Sequence, residues 1–192
     1  MMAGNEGRVR SVGRRVRTAA LGAMLFVGMG QAWAADGVSV LLGHGDHTDL
    51  ARLSLMWDWH RQWFQSHPWH LVGYWNVSVG AWRPHDAANK NPTIWDVGVT
   101  PVFRLEERTV AGWMPYFEGA VGIHLLSHTW LSETRRLGSA FEFGDHVGFG
   151  VRFGPRDAYD LAYIYQHVSN AEIKEPNCGA NFNEIRFAYH FH

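Results

Sequence analysis

From residue 37 to the end, apolar and polar residues alternate in stretches of roughly ten residues. In Tyr74-Trp75-Asn76-Val77-Ser78-Val79-Gly80-Ala81-Trp82, one parity carries Asn76, Ser78 and Gly80, the other Trp75, Val77, Val79 and Ala81. Across 141–151, Phe141, Phe143, Val147, Phe149 and Val151 share a parity that only Asp145 interrupts, while Glu142, Gly144, His146, Gly148 and Gly150 occupy the other. Side chains in a strand point alternately to opposite faces, so each stretch makes a strand with one apolar and one small or polar face. Eight are readable: 37–44, 48–60, 68–83, 93–106, 113–126, 138–153, 157–169 and 181–192, divided by polar or Gly/Pro turns. No sustained period of 3.6 appears. The pattern predicts an all-β chain, an eight-stranded antiparallel transmembrane β-barrel with lipid outside and polar residues inside. Closing the sheet removes the unpaired edges that hydrocarbon does not tolerate. The lumen of so small a barrel is filled by side chains and is not a pore. A soluble lipocalin-like barrel or an exported β-sandwich also alternates and stays open on periodicity alone.

The start of the chain reads differently. Arg8, Arg10, Arg14, Arg15 and Arg17 precede an apolar run from Ala19 to Met29, which ends at Ala32-Trp33-Ala34. Basic, apolar and small residues in that order predict a signal peptide at 1–34, cleaved after Ala34, and a single barrel domain at 35–192. The apolar run is too short to cross a bilayer as a helix. Ten Trp, six Tyr and eleven Phe are many for 192 residues. In a membrane barrel they form interfacial girdles and part of the lipid-facing band, which favours the membrane alternative. The mature part carries 12 basic and 17 acidic residues, so nucleic acid is not an expected partner. Cys178 is the single cysteine, which excludes an intrachain disulfide and a multi-thiolate metal site.

With both termini in the periplasm, strands of odd rank run outward. The segments 84–92, 127–137 and 170–180 are then outer loops, and the links near 107–112 and 154–156 are inner turns. At the outer end of the seventh strand stands His167-Val168-Ser169-Asn170. Residues i and i+2 share a face, so His167 and Ser169 point the same way. An imidazole can take the proton of a serine hydroxyl near neutral pH, and needs a partner of its own to hold its tautomer. Glu184, early in the eighth strand, is the preferred orienting acid. Leu161, Tyr163 and Tyr165 share the face of His167 and Ser169, which places the pair on the lipid-facing wall. Most of the twelve histidines stand singly and read as lumen or interface residues; no metal and no cofactor is expected.

The run His167-Val168-Ser169-Asn170-Ala171-Glu172-Ile173-Lys174-Glu175-Pro176-Asn177 resembles the signature of the PagL-type lipid A 3-O-deacylases, H-x-S-N-[AG]-G-[IL]-K-x-P-N. Trp57-Asp58-Trp59 and Phe143-Gly144-Asp145-His146 resemble lesser blocks of that family. The resemblance implies an outer-membrane enzyme that hydrolyses the ester-linked acyl chain at the 3 position of lipid A. It assigns Ser169 as nucleophile and His167 as base, with Glu184 or else Asn181 as the orienting residue. Counted without a gap from Asn177, the family's acid falls on Asn181. Backbone amides of Ala171 and Glu172, helped by the Asn170 side chain, are the implied oxyanion donors. Lys174 and Asn177 are candidate substrate contacts, Lys174 through a lipid A phosphate. Glu172 stands where the family pattern has glycine.

The implied partner is the lipopolysaccharide of the outer leaflet, and the implied location is the bacterial outer membrane. The oligomeric state is left open, a homodimer included. A phospholipase using the same Ser/His chemistry, a non-enzymatic small barrel and a lipid A palmitoyl transferase are the rival functions.

Overall fold

The computed structural model of the protein describes residues 34–66, 68–85, 93–107 and 111–191. The expected signal peptide, Ala34 apart, lies outside the described residues, as does the centre of the expected outer loop 84–92. The strands are β1 (Gly37–Gly45), β2 (Thr48–Asp58), β3 (Trp63–Ser66), β4 (Trp69–Pro84), β5 (Ile94–Glu107), β6 (Trp113–Leu126), β7 (Phe141–Phe153), β8 (Tyr159–Ser169) and β9 (Ala180–His190). β3 is a short ribbon on the start of β4, with an irregular register. The other eight are all antiparallel and pair in the ring β2-β1-β9-β8-β7-β6-β5-β4, which β4 closes by pairing back onto β2. The eight expected strands are these eight, with ends moved by a few residues. β7 starts at Phe141 rather than 138, because Leu126 N–H bonds the Ala140 carbonyl and the Leu137 N–H bonds Thr129 inside the preceding loop. β3 was not expected: Trp63-Phe64-Gln65-Ser66 has no alternation to reveal it.

The alternation is that of a membrane barrel. In β2, Leu53 is 55% exposed and Arg52 is 7% exposed. In β9 the inward set is Phe182, Glu184, Arg186, Ala188 and His190, and the outward set includes Ile185, Phe187 and Tyr189. A soluble barrel or sandwich would bury the second set and wet the first, so the soluble alternatives fail on this point. Inner strand ends carry a belt of tilted and edge-to-face ring contacts: Trp113 against Phe153 at 5.3 Å, Tyr159 against Tyr189 at 5.6 Å and Trp59 against Phe103 at 5.1 Å between centroids. Such rings suit the headgroup level of a bilayer.

Charge fills the lumen, and it is paired. Arg186 donates to Glu118 at 2.7 Å and Arg104 to Glu118 at 3.0 Å. Arg104 also lies 3.1 Å from Asp160, which accepts from the Tyr116 hydroxyl. Nearer the outer end, Arg52 donates to Asp96 and Gln166, both at 3.0 Å, and His124 meets Asp96 at 2.8 Å. Above this layer an apolar plug that includes Trp82, Ile94, Leu126, Leu137, Val168 and Phe182 closes the outer mouth. The mid-lumen cavity lined by Arg52, His124, Gln166 and Glu184 measures about 20 Å³, room for about one water molecule. The barrel is therefore packed, as expected, and is not a channel.

Burying an ion costs several kcal/mol unless its partners are complete. Glu118→Ala should leave Arg104 and Arg186 to share Asp160 as their nearest remaining carboxylate and lower stability by about 3 kcal/mol, read by equilibrium unfolding in detergent micelles. Glu118→Gln, which keeps an acceptor, should cost less.

Candidate active site

β8 runs outward and ends at Ser169; β9 starts at the same end. Their register sets His167 opposite Asn181 and Val168 opposite Ala180. Along β8 the residues Ala162, Ile164, Gln166 and Val168 are buried in the lumen, and Leu161, Tyr163, Tyr165, His167 and Ser169 point outward. The expected pair therefore sits on the outside wall, beside exposed tyrosines, as the parity predicted.

Glu184 does not reach it. That residue pairs with Ile164 and Gly43, is 1% exposed, and points into the lumen with Oε1 3.8 Å from Arg52. The expectation that it orients His167 is corrected by two geometric facts. It lies three pairs along the ladder from His167, and that odd offset of three positions from Asn181, the residue that does face the imidazole, turns it to the opposite face. His167 Nδ1 lies 2.8 Å from Asn181 Oδ1, which also accepts from the Tyr165 hydroxyl at 3.0 Å. An amide oxygen can only accept, so Nδ1 carries the proton and Nε2 keeps its lone pair. That is the tautomer a base for Ser169 needs.

The two-residue turn Asp46-His47 joins β1 to β2 with positive φ at both positions, the conformation that a tight antiparallel hairpin favours. The carboxylate of Asp46 accepts from the Asn181 backbone N–H at 2.7 Å and from its side-chain Nδ2 at 3.4 Å. Gly45 makes the approach possible: a Cβ there would lie 1.8 Å from the Asn181 carbonyl oxygen. Arg135, from the loop before β7, lies 3.0 Å from Asp46 and donates to the Gly179 carbonyl at 3.0 Å. Gly179 in turn lies over the imidazole, where a Cβ would come within 2.9 Å of His167 Cε1, and its φ of 60° suits glycine. Partial burial alone would raise the Asp46 carboxyl. Hydrogen bonds and charge from Arg135 and the Asn181 amides outweigh it and hold the group below its ordinary 3.8. From the β7 side, exposed Asp145 stands directly opposite His167.

The loop after Ser169 turns back at once. Ala171 and Glu172 have φ of 51° and 63°, and the Ile173 N–H bonds the Asn170 carbonyl. The second of these conformations explains why the family pattern has glycine at position 172. Asn170 is fully buried; its Nδ2 donates to the Lys174 carbonyl at 2.8 Å and its N–H to Asn177 Oδ1 at 3.2 Å. The expected help of the Asn170 side chain at the oxyanion is corrected accordingly: the side chain is buried and its Nδ2 is turned to the Lys174 carbonyl inside the loop, away from the outside wall. Asn177 is likewise engaged in holding that loop, whereas Lys174 is exposed at the outer end. Cys178 is exposed.

Closure of the sheet also gathers residues that sequence spacing kept apart. Asp49 bridges His44 at 2.8 Å and His85 at 2.7 Å on the exposed outer rim. Asp46 belongs to the same class. The one available signal was topological: in a closed barrel the first outer turn must lie beside the start of the last strand.

A family model described as lipid A 3-O-deacylase (PagL) matches residues 50–190. The chain belongs to the lipid A 3-O-deacylase family. It is 32% identical over 163 residues to the lipid A deacylase PagL of Pseudomonas aeruginosa, covering 84% of this chain and 89% of that protein. To the lipid A deacylase PagL of Bordetella bronchiseptica it is 32% identical over 162 residues, covering 81% and 83%. A crystal structure of the outer membrane enzyme PagL matches with a TM-score of 0.71 at 27% identity, over 81% of this chain and 99% of that one. As a deacylase of this family the chain is an ester-hydrolysing enzyme, and its barrel resides in the outer membrane.

Two outcomes follow from the site's geometry. Asn181→Ala should lower ester hydrolysis by on the order of ten- to a hundredfold, while Glu184→Gln leaves it near the wild-type rate, both read as initial rates on folded protein. Because the folded Asp46 carboxyl is depressed, its stabilising contribution is complete above its ordinary value and disappears as pH falls through the lower, folded one. Between about pH 5 and pH 3 the unfolding midpoint of wild type should therefore fall further than that of Asp46→Asn.

Proposed function

We propose that the protein removes the ester-linked 3-hydroxyacyl chain from the 3 position of lipid A, with Ser169 as nucleophile, His167 as base and Asn181 as the residue that orients the imidazole. The observation that carries this reading is the lipid-facing pair His167 and Ser169 at the outer end of β8, with His167 Nδ1 held by Asn181. The family and the names of its relatives supply the substrate and the bond.

In the first step Ser169 Oγ attacks the acyl carbonyl carbon while His167 Nε2 takes the hydroxyl proton. Backbone N–H groups of Ala171 and Glu172, next in the chain after the serine's neighbour, are the donors for the oxyanion. The tetrahedral intermediate collapses, its C–O bond to the sugar breaks, and the leaving sugar oxygen takes the proton from His167. Water then attacks the acyl-serine while His167 accepts its proton; the second tetrahedral intermediate collapses, the bond between Ser169 Oγ and the acyl carbon breaks, and Oγ takes the proton back from His167 as the fatty acid leaves. Asn181 adds no charge to the imidazolium, so it stabilises that state less than a carboxylate would.

Location supports the substrate. Lipid A fills the outer leaflet, and the pair sits on the lipid-facing wall at the outer end. Its acyl chains can lie along Tyr163, Tyr165 and Leu161 without leaving hydrocarbon. Lys174 is exposed on the adjoining loop, and its charge would attract a lipid A phosphate.

Expression in an outer membrane that lacks such activity, followed by mass spectrometry of lipid A, tests the reading. Wild type should remove one hydroxyacyl chain, and Ser169→Ala should reduce the rate by on the order of 10⁴-fold or more. Intact lipid A alongside hydrolysed glycerophospholipid would instead identify a phospholipase; unchanged lipids with folded protein would identify a non-enzymatic barrel.

A further inference from the structure

We infer that Asp46 is a positioning residue for His167, acting through Asn181: its carboxylate fixes which end of the Asn181 amide faces the imidazole. The inference rests on the Ser169/His167 reading above.

A carboxylate at position 181 would present an acceptor to His167 whichever way it turned. An amide does not. Its oxygen and nitrogen are nearly the same size, and either can point at the ring. With Nδ2 toward the ring, Nδ1 would have to accept, the ring proton would move to Nε2, and the serine proton would have nowhere to go. An enzyme with asparagine here needs a second group that tells the two ends apart.

Two groups touch the Asn181 amide. The Tyr165 hydroxyl can donate or accept, so it suits either direction. The Asp46 carboxylate can only accept. Its Oδ2 lies 2.7 Å from the Asn181 backbone N–H and 3.4 Å from Nδ2. Turning the amide over would set Oδ1 against that carboxylate, oxygen to oxygen. Asp46 thereby leaves Oδ1 for His167 and holds the proton on Nδ1. The carboxylate is itself held: Arg135 pairs with its other oxygen at 3.0 Å and ties the same corner to the Gly179 carbonyl. Gly45 clears the approach. Residues 135 positions apart in the chain are thus brought together by the pairing of the first strand with the last.

A double-mutant cycle on full-length protein in lipid A mixed micelles tests this, because supplying the carboxylate directly removes the need for a director. In the Asn181 background, Asp46→Ala should lower kcat about tenfold or more with KM little changed. In the Asn181→Glu background the same Asp46→Ala change should be neutral or should raise kcat, since it also removes a like charge. Equal losses in both backgrounds, with folding verified by heat-modifiable gel mobility, would make Asp46 a merely structural turn residue and overturn the inference. A Ser169→Ala control separates the two levels: if it stays active, the proposed mechanism fails, whereas an inactive control with additive Asp46 and Asn181 effects defeats the positioning role alone.

Discussion

A peptide group in hydrocarbon has no water to bond, and this one constraint shapes the whole molecule. It requires the sheet to close, here through β2 on β4. Closure turns each strand's alternation into a division between lipid and lumen. It also makes the first and last strands neighbours, and the residues around His167 depend on that contact. Without β1 beside β9, the turn at Asp46 would have no way to reach Asn181.

The lumen answers a second demand of the same kind. Arginine and glutamate enclosed in so small a barrel must satisfy one another, and Glu118 does this for two guanidinium groups at once. The resulting lattice and the apolar plug above it give β8 and β9 a rigid backing. Val168, Ala180 and Phe182 belong to that plug, immediately behind His167 and Asn181. A side chain on an outside wall has no pocket to hold it, so its precision comes from the packed interior and from hydrogen bonds along the rim.

The fold was legible because a period of two survives in single sequences: Val77 and Val79 outside, Asn76 and Ser78 inside are visible without any contact map. The short β3 lacks that signal. At the site, periodicity revealed that His167 and Ser169 share a face and that only one of Asn181 and Glu184 could join them. It did not reveal which, since register depends on how many residues the loop after Ser169 consumes. Val168 opposite Ala180 resolves it in favour of Asn181. The chemical preference for a carboxylate pointed the wrong way, because Glu184 is committed to the lumen beside Arg52. The Asn170 side chain was likewise assigned to the site from adjacency, whereas strand parity turns it inward. Asp46 and the His44, Asp49 and His85 group were out of reach of local reasoning, as their contacts arise only once distant strands align.

A reactive pair that opens sideways into a membrane meets its substrate in two dimensions. Most enzymes gather a dissolved molecule into a concave pocket and surrender part of the binding energy to stripping its water. On the proposed mechanism the acyl chain approaches by lateral diffusion and remains in oil before, during and after cleavage. Encounter is then governed by the mole fraction of substrate in the leaflet and by how tightly neighbouring lipids pack against β8, rather than by any bulk concentration. The state of the surrounding lipid becomes, in effect, part of the enzyme's active site.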